Sequence, residues 1–168
     1  MSTRSGDVDA GLVTFLERTA GFTGERLDRV LNMESGLLGL SGISGDMRAL
    51  LTSRSPDAKA AIDLYCYRIR KYIGAYIAVL GGIDVIVFGG GVAAHSPEVR
   101  ERVLSDMEWC GIRLDRDRNN AARGNAETES RISSSSGAVD VWVVAVDEGA
   151  VLAREAAAVL RRLAYDKL

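Results

Sequence analysis

Glycine opens the chemical reading of this chain. Gly89-Gly90-Gly91 follows Ile83-Asp84-Val85-Ile86-Val87-Phe88, a short run rich in β-branched residues, and precedes the helix start Ser96-Pro97-Glu98. Glycines behind a strand let backbone approach a ligand closely, and the next helix presents free N–H groups and the positive end of its dipole. Such a unit suits nucleotide phosphates; it is equally what a tight turn requires. It matches neither GxxxxGK[ST] nor GxGxxG. A second group, Ser44-Gly45-Asp46-Met47-Arg48, sets a carboxylate and a guanidinium beside glycine in a loop. Its plainer reading is a helix N-cap followed by a surface arginine. Asp147 and Glu148 lie where a strand gives way to a helix, the strand end at which ligands gather in open α/β sheets. An acid there can hold Mg²⁺ through water, or simply complement a first helical turn. His95 is the single histidine and has no nucleophile near it in sequence, so it is assigned no catalytic role.

The elements that must position these residues follow from periodicity. Leu12, Phe15 and Leu16 predict a short helix over 8–18, and Leu27, Val30 and Leu31 a second over 25–34. Residues 37–48 are dominated by glycine and serine and read as a loop, with Ser44 or Asp46 able to cap a short helix into Leu51. Ser55-Pro56-Asp57 starts the longest element, a helix with an apolar face over 61–80 that ends at Gly81-Gly82. Its tyrosines, at helical spacing, are expected in the core. The run 83–88 reads as a buried strand. A helix is expected from Ser96 to Gly111, an irregular polar connection over 115–128, a short strand over 130–133 and a clear strand over 139–146. A last helix runs from Asp147 to about Ala164. Strands alternating with helices predict an α/β fold with mainly parallel pairing. Two firm strands and one weak one are few for a self-sufficient parallel sheet, which predicts part of a domain with exposed edges and apolar surface.

Composition bounds the rest. The 168 residues are 47% hydrophobic with a net charge of −2, so a sizeable core is possible and nothing draws the chain to nucleic acid or an anionic membrane. The polar start MSTRSGDVDAG has no secretory pattern. Asp84 and the two glycine clusters interrupt the most apolar stretch, 72–94, so no spanning helix is expected. Cys66 and Cys110 have no CxxC or CxxH neighbour and read as reduced thiols in a cytoplasmic protein.

Several runs, in order along nearly the whole chain, resemble the C-terminal part of the acetate kinase family. They are Thr3-Arg4-Ser5-Gly6-Asp7-Val8-Asp9, Ser35-Gly36-Leu37-Leu38-Gly39-Leu40-Ser41-Gly42 and Gly45-Asp46-Met47-Arg48. Tyr67-Arg68-Ile69-Arg70-Lys71-Tyr72-Ile73-Gly74-Ala75-Tyr76, Val87-Phe88-Gly89-Gly90-Gly91-Val92, Ser96-Pro97-Glu98-Val99-Arg100 and Asp147-Glu148 complete the set. Propionate and butyrate kinases are near neighbours of that family. The resemblance implies the ribonuclease-H-like fold of the actin and sugar-kinase superfamily, here in part. It also implies transfer of the γ-phosphoryl group of ATP to acetate with Mg²⁺, chemistry that is mostly positioning and charge cancellation.

Carried over position by position, Arg4 matches the arginine that stabilises the transition state. Asp46, Met47 and Arg48 match the loop that contacts adenosine. Gly91, Val92, Ala93, Ala94 and His95 match the glycine-rich loop on the other side of the nucleotide, and Glu148 the acid associated with Mg²⁺. The family loop usually reads Gly-Ile-Gly-Glu-Asn or -His, so a glycine and a carboxylate are replaced here by Ala93 and Ala94. Were Ala93 to need φ > 0, the cost would be about 1 kcal/mol. Gly149 stands in place of the second of two adjacent acids.

The resemblance further implies that residues 1–168 form the C-terminal part of such a domain. The N-terminal domain and the phosphate loop, with the residues that hold acetate, then lie outside this chain. Half a cleft cannot orient both reactants, so the chain is expected to be inactive alone. Its expected partners are ATP or ADP, acetate, and either a second copy through the C-terminal domain or a separately encoded N-terminal half. A non-catalytic nucleotide-binding or dimerisation module, and one half of a split propionate- or butyrate-type kinase, are the alternatives.

Overall fold

A computed structural model describes residues 1–122 and 129–165, the side chains of 148 and 163–165 excepted. The chain divides into two compact units, Met1–Gly81 and Gly82–Leu168.

The first unit is helical. Helix α1 spans Ala10–Ala20 and α2 spans Gly24–Met33, each opened by a side-chain cap, Asp9 and Thr23. Both elements were legible from their periodicity. Residues 37–41 are not the loop that their glycines suggested, whereas the short helix into Leu51 capped by Asp46 is present. Gly36–Ser41 form a helix, α3, and Met47–Thr52 another, α4. Helix α3 forms because the orphan donors of its first turn find acceptors in the chain start. The Leu37 and Leu38 amides donate to the Met1 and Ser2 carbonyls at 2.9 and 3.0 Å. Gly36, with φ +61°, sits so close to this segment that a Cβ would lie 2.3 Å from the Met1 oxygen. Both short helices pack on α5, Pro56–Leu80, burying Leu37, Met47 and Leu50 against Ala58, Ala61, Ile62 and Cys66. Burial of a leucine of this kind contributes roughly 1.5–3 kcal/mol. Helix α5 begins as predicted, with Ser55 Oγ accepting the Asp57 amide and Pro56 at the first position, and Gly81 closes it at φ +73°.

The expected core face of α5 is realised only in its first half. Beyond Cys66 no residue of the helix is buried; Tyr67, Tyr72 and Tyr76 are exposed and Val79 is 82% accessible. Length explains this. Helices α3 and α4 are each six residues, about 9 Å long, against about 37 Å for α5.

The second unit is α/β. Strand β1, Val85–Phe88, leads into two short helices, α6 (Gly91–His95) and α7 (Pro97–Leu104), and then α8, Arg116–Ala121. Strand β2 is Ser130–Arg131, β3 is Asp140–Val143, and α9 is Glu148–Tyr165. The sheet order is β1-β3-β2, with β1 and β3 parallel in the register Val85↔Asp140 to Phe88↔Val143, and β2 antiparallel to β3. Val99, Val103, Met107, Ile112, Ile132, Val139, Val141 and Val143 form the core.

Three expectations change here. Strand β1 is not buried on both faces: Val85 and Val87 are exposed and Phe88 is buried, the period-two pattern of a strand covered on one side. The helix after Ser96 stops at Leu104 rather than Gly111, followed by Asp106 at φ +60°. Within the supposedly irregular 115–128 stretch, Asp115 Oδ1 accepts the Arg118 amide at 3.0 Å and caps α8; residues 123–128 lie outside the described ones. Among the described residues neither cysteine is in a disulfide, and no helix is long and apolar enough to cross a membrane.

Candidate functional site

The candidate residues of the first unit stand on a rigid frame. The Thr3 carbonyl accepts the Ser35 amide at 2.8 Å, and the Ser5 amide donates to the Leu31 carbonyl at 2.8 Å, bracketing Arg4. Further on, Asp7 is bound from α5. Arg68 reaches its carboxylate at 2.7 Å, and the Tyr72 hydroxyl donates to it at 2.6 Å. The Tyr72 bond foremost, and the Arg68 charge after it, hold the Asp7 carboxyl below the usual carboxylate range; the same bond pushes the Tyr72 phenol up. Gly6 must be glycine, since at φ +72° a Cβ would lie 2.9 Å from the Arg68 guanidinium. Arg4 therefore has a fixed backbone, yet its side chain is exposed and makes no hydrogen bond or ion pair among the described residues. It is a held but unspent cation.

Gly45 brings the second candidate segment beside the same chain start, its Cβ position 3.0 Å from the Ser2 oxygen. Asp46 caps α4, accepting the Arg48 amide at 2.9 Å, and the Arg48 guanidinium folds back onto the same carboxylate at 2.8 Å. That side-chain bond, then the backbone one, lowers the Asp46 carboxyl, and the same side-chain bond, then the Asp46 charge, raises Arg48. The plainer reading of this motif is thus realised, an N-cap followed by an arginine that is 91% accessible. Asp46 and Arg48 face solvent, whereas Met47 is 3% accessible and belongs to the core.

In the second unit the parallel register sets the carboxyl ends of β1 and β3 side by side. The segments leaving them, 89–95 and 144–148, consequently share one end of the sheet, where ligands bind in open α/β folds. The Val144 amide donates to the Phe88 carbonyl at 2.9 Å, and Val146 lies so close to Gly89 that a Cβ there would meet it at 2.8 Å. Gly90 carries the positive φ of this loop, +76°. Gly91, Val92, Ala93, Ala94 and His95 then form the single turn α6. Ala93 is in right-handed helical backbone, so the feared cost of a methyl group at φ > 0 does not arise. His95 is exposed. Asp147 accepts the Ala150 amide at 2.9 Å and caps α9; the side chain of Glu148, the expected metal-associated acid, lies outside the described ones.

Two sets of residues escaped the sequence reading. One is the Arg68–Tyr72–Asp7 tether. The other is Arg100, whose guanidinium donates to the carbonyls of Ala93 and Ala94 and to Asn119. The signal for Arg100 was present: it shares the inward face of α7 with Val99 and Val103, all of them buried.

The architecture is that of a partial ribonuclease-H-like C-terminal domain of the actin and sugar-kinase superfamily, and solved structures agree. Porphyromonas gingivalis acetate kinase superposes with a TM-score of 0.85 at 41% identity, covering 95% of this chain and 40% of that one. Entamoeba histolytica acetate kinase gives 0.83 at 31% identity, covering 93% and 41%. A propionate kinase from Francisella tularensis gives 0.78 at 26% identity, covering 88% and 37%. Residues 1–154 match the acetokinase family model, and the chain belongs to that family. An acetate kinase of Bacteroides thetaiotaomicron is 44% identical over 165 residues, which is 96% of this chain and 41% of the relative. The chain thus spans about two fifths of the length of the relatives it matches.

Proposed function

We propose that this chain supplies the nucleotide-side part of an acetokinase-type site, where ATP and acetate give ADP and acetyl phosphate, and that it is inactive alone. The observation that carries the reading is Arg4: a guanidinium on a firmly hydrogen-bonded segment, exposed and with no hydrogen bond or ion pair among the described residues. Charge that develops on a transferring phosphoryl group is best met by a cation positioned beforehand, because no reorganisation is then needed in the transition state. Asp46, Met47 and Arg48 take the adenosine contact, with Arg48 and Asp46 at the surface and Met47 anchoring the loop. Gly91, Val92, Ala93, Ala94 and His95 contribute the glycine-rich nucleotide contact of the second unit, next to the segment that carries Glu148.

Among the described residues no three His, Cys, Asp or Glu side chains cluster. Mg²⁺ is usually held by one or two carboxylates, water and substrate phosphates. Glu148 is the residue that would hold it, and the bound ion would neutralise phosphate charge. Acetate binding falls to the portion of the family fold that this chain does not span.

Acetyl phosphate formation tests the reading. The chain alone is expected to give none. Mixed with a polypeptide carrying the remaining portion of a relative, it is expected to turn over, and Arg4→Ala should lower that rate at least 100-fold. Turnover by the isolated chain at ordinary kinase rates, about 1–100 s⁻¹, would refute the proposal.

A further inference from the structure

The most deeply buried charged side chain among the described residues lies beneath the glycine-rich turn. Arg100 is 0% accessible. Its Nη1 donates to the carbonyls of Ala93 at 2.7 Å and Ala94 at 3.0 Å, its Nε to Asn119 Oδ1 at 2.7 Å, and its Nη2 to the carbonyls of Asn119 at 2.7 Å and Ala122 at 3.3 Å. Asn119 Nδ2 donates in turn to the Pro97 carbonyl at 3.0 Å.

A five-residue helix has little stability of its own, since nucleation fixes several dihedrals for very few hydrogen bonds. The last carbonyls of such a turn have no partner within it. Arg100 supplies those partners, and its hydrogen bonds offset part of the desolvation of the buried guanidinium, whose planar fork suits several fixed acceptors at once. Through Asn119, α8 also fixes the first turn of α7. The backbone from Ala93 to Pro97 is held from below at three carbonyls, leaving Gly90 as the point of freedom.

We infer that Arg100, seated by Asn119, is the positioning residue that sets the conformation of the Gly91–His95 turn and through it the affinity for the nucleotide. The second half of this statement rests on the nucleotide reading above; the first half does not.

Amide hydrogen exchange and ADP binding, measured on the 168-residue chain, separate the two halves. The Ala94 and Ser96 amides, bonded to the Gly90 and Val92 carbonyls at 2.9 and 3.0 Å, report the turn; those of Ile132 and Val144 report the sheet. Arg100→Lys keeps the charge but loses the planar fork. It should speed exchange at Ala94 and Ser96 at least tenfold, with the sheet amides within about twofold, and weaken Mg²⁺–ADP binding about tenfold. Asn119→Ala, which removes only the Nε acceptor and the Pro97 bond, should act in the same direction and keeps the test decisive should Arg100→Lys fail to fold. Equal acceleration at all four amides, or none at Ala94 and Ser96, overturns the inference. A parent chain that binds no ADP counts against the nucleotide reading, while the exchange comparison still decides the positioning role.

Discussion

At the scale of single residues, the molecule separates arginines that build from arginines that are left available. Arg68 and Arg100 are spent on carboxylate and carbonyl groups, and Arg48 on its neighbour Asp46. Arg4 is spent on nothing among the described residues. Arg4→Ala should therefore leave the melting temperature unchanged to within about 0.5 kcal/mol of stability, while removing phosphoryl transfer in the reconstituted enzyme. A large loss of stability would place Arg4 in the framework instead. Asp7 gives a pH test. Its carboxyl is held below the usual range, so its contribution is complete above about pH 4 and is lost as pH falls through the lowered value. Tyr72, raised by the same bond, stays protonated past about pH 10. In Tyr72→Phe the Asp7 titration, followed by carboxyl NMR, should move up toward the ordinary carboxylate value; an unmoved titration would dismiss the bond.

Elements show where sequence reasoning reached and where it stopped. Gly36→Ala sets a methyl group 2.3 Å from the Met1 oxygen at a φ of +61°. The conformation alone costs about 1–2 kcal/mol, so thermal unfolding should show a larger loss than that, and an unchanged melt would refute the packing of the chain start on α3. Ser55→Ala should cost about 1 kcal/mol through loss of the α5 cap. That cap, the start of α5, both strand positions and the glycine turn were legible, because each depends on local chemistry. Helix α3 was not, since the acceptors for its first turn come from residues some 35 positions earlier. The exposed half of α5 was not either: periodicity marks a face as apolar without saying whether anything is long enough to cover it. At the site, the motif of Asp46 and Arg48 was visible, but the support of the turn by Arg100 is a long-range contact.

For the whole molecule, the resemblance and the measured kinship agree on family, and the chain's share of its relatives defines what remains to be tested. Tyr76, Val79 and Leu80 on α5 and Val151, Leu152, Val159 and Leu160 on α9 are exposed, and apolar side chains left open along a helix favour association. Sedimentation should accordingly show self-association at micromolar concentration; a monomer throughout would contradict this. Titration calorimetry with ADP and Mg²⁺ asks whether Arg4, Asp46, Arg48 and the Gly91–His95 turn contribute the nucleotide side of a phosphotransfer site. Saturable binding of one ADP per chain is the expected result. No heat of binding up to millimolar ADP would contradict it.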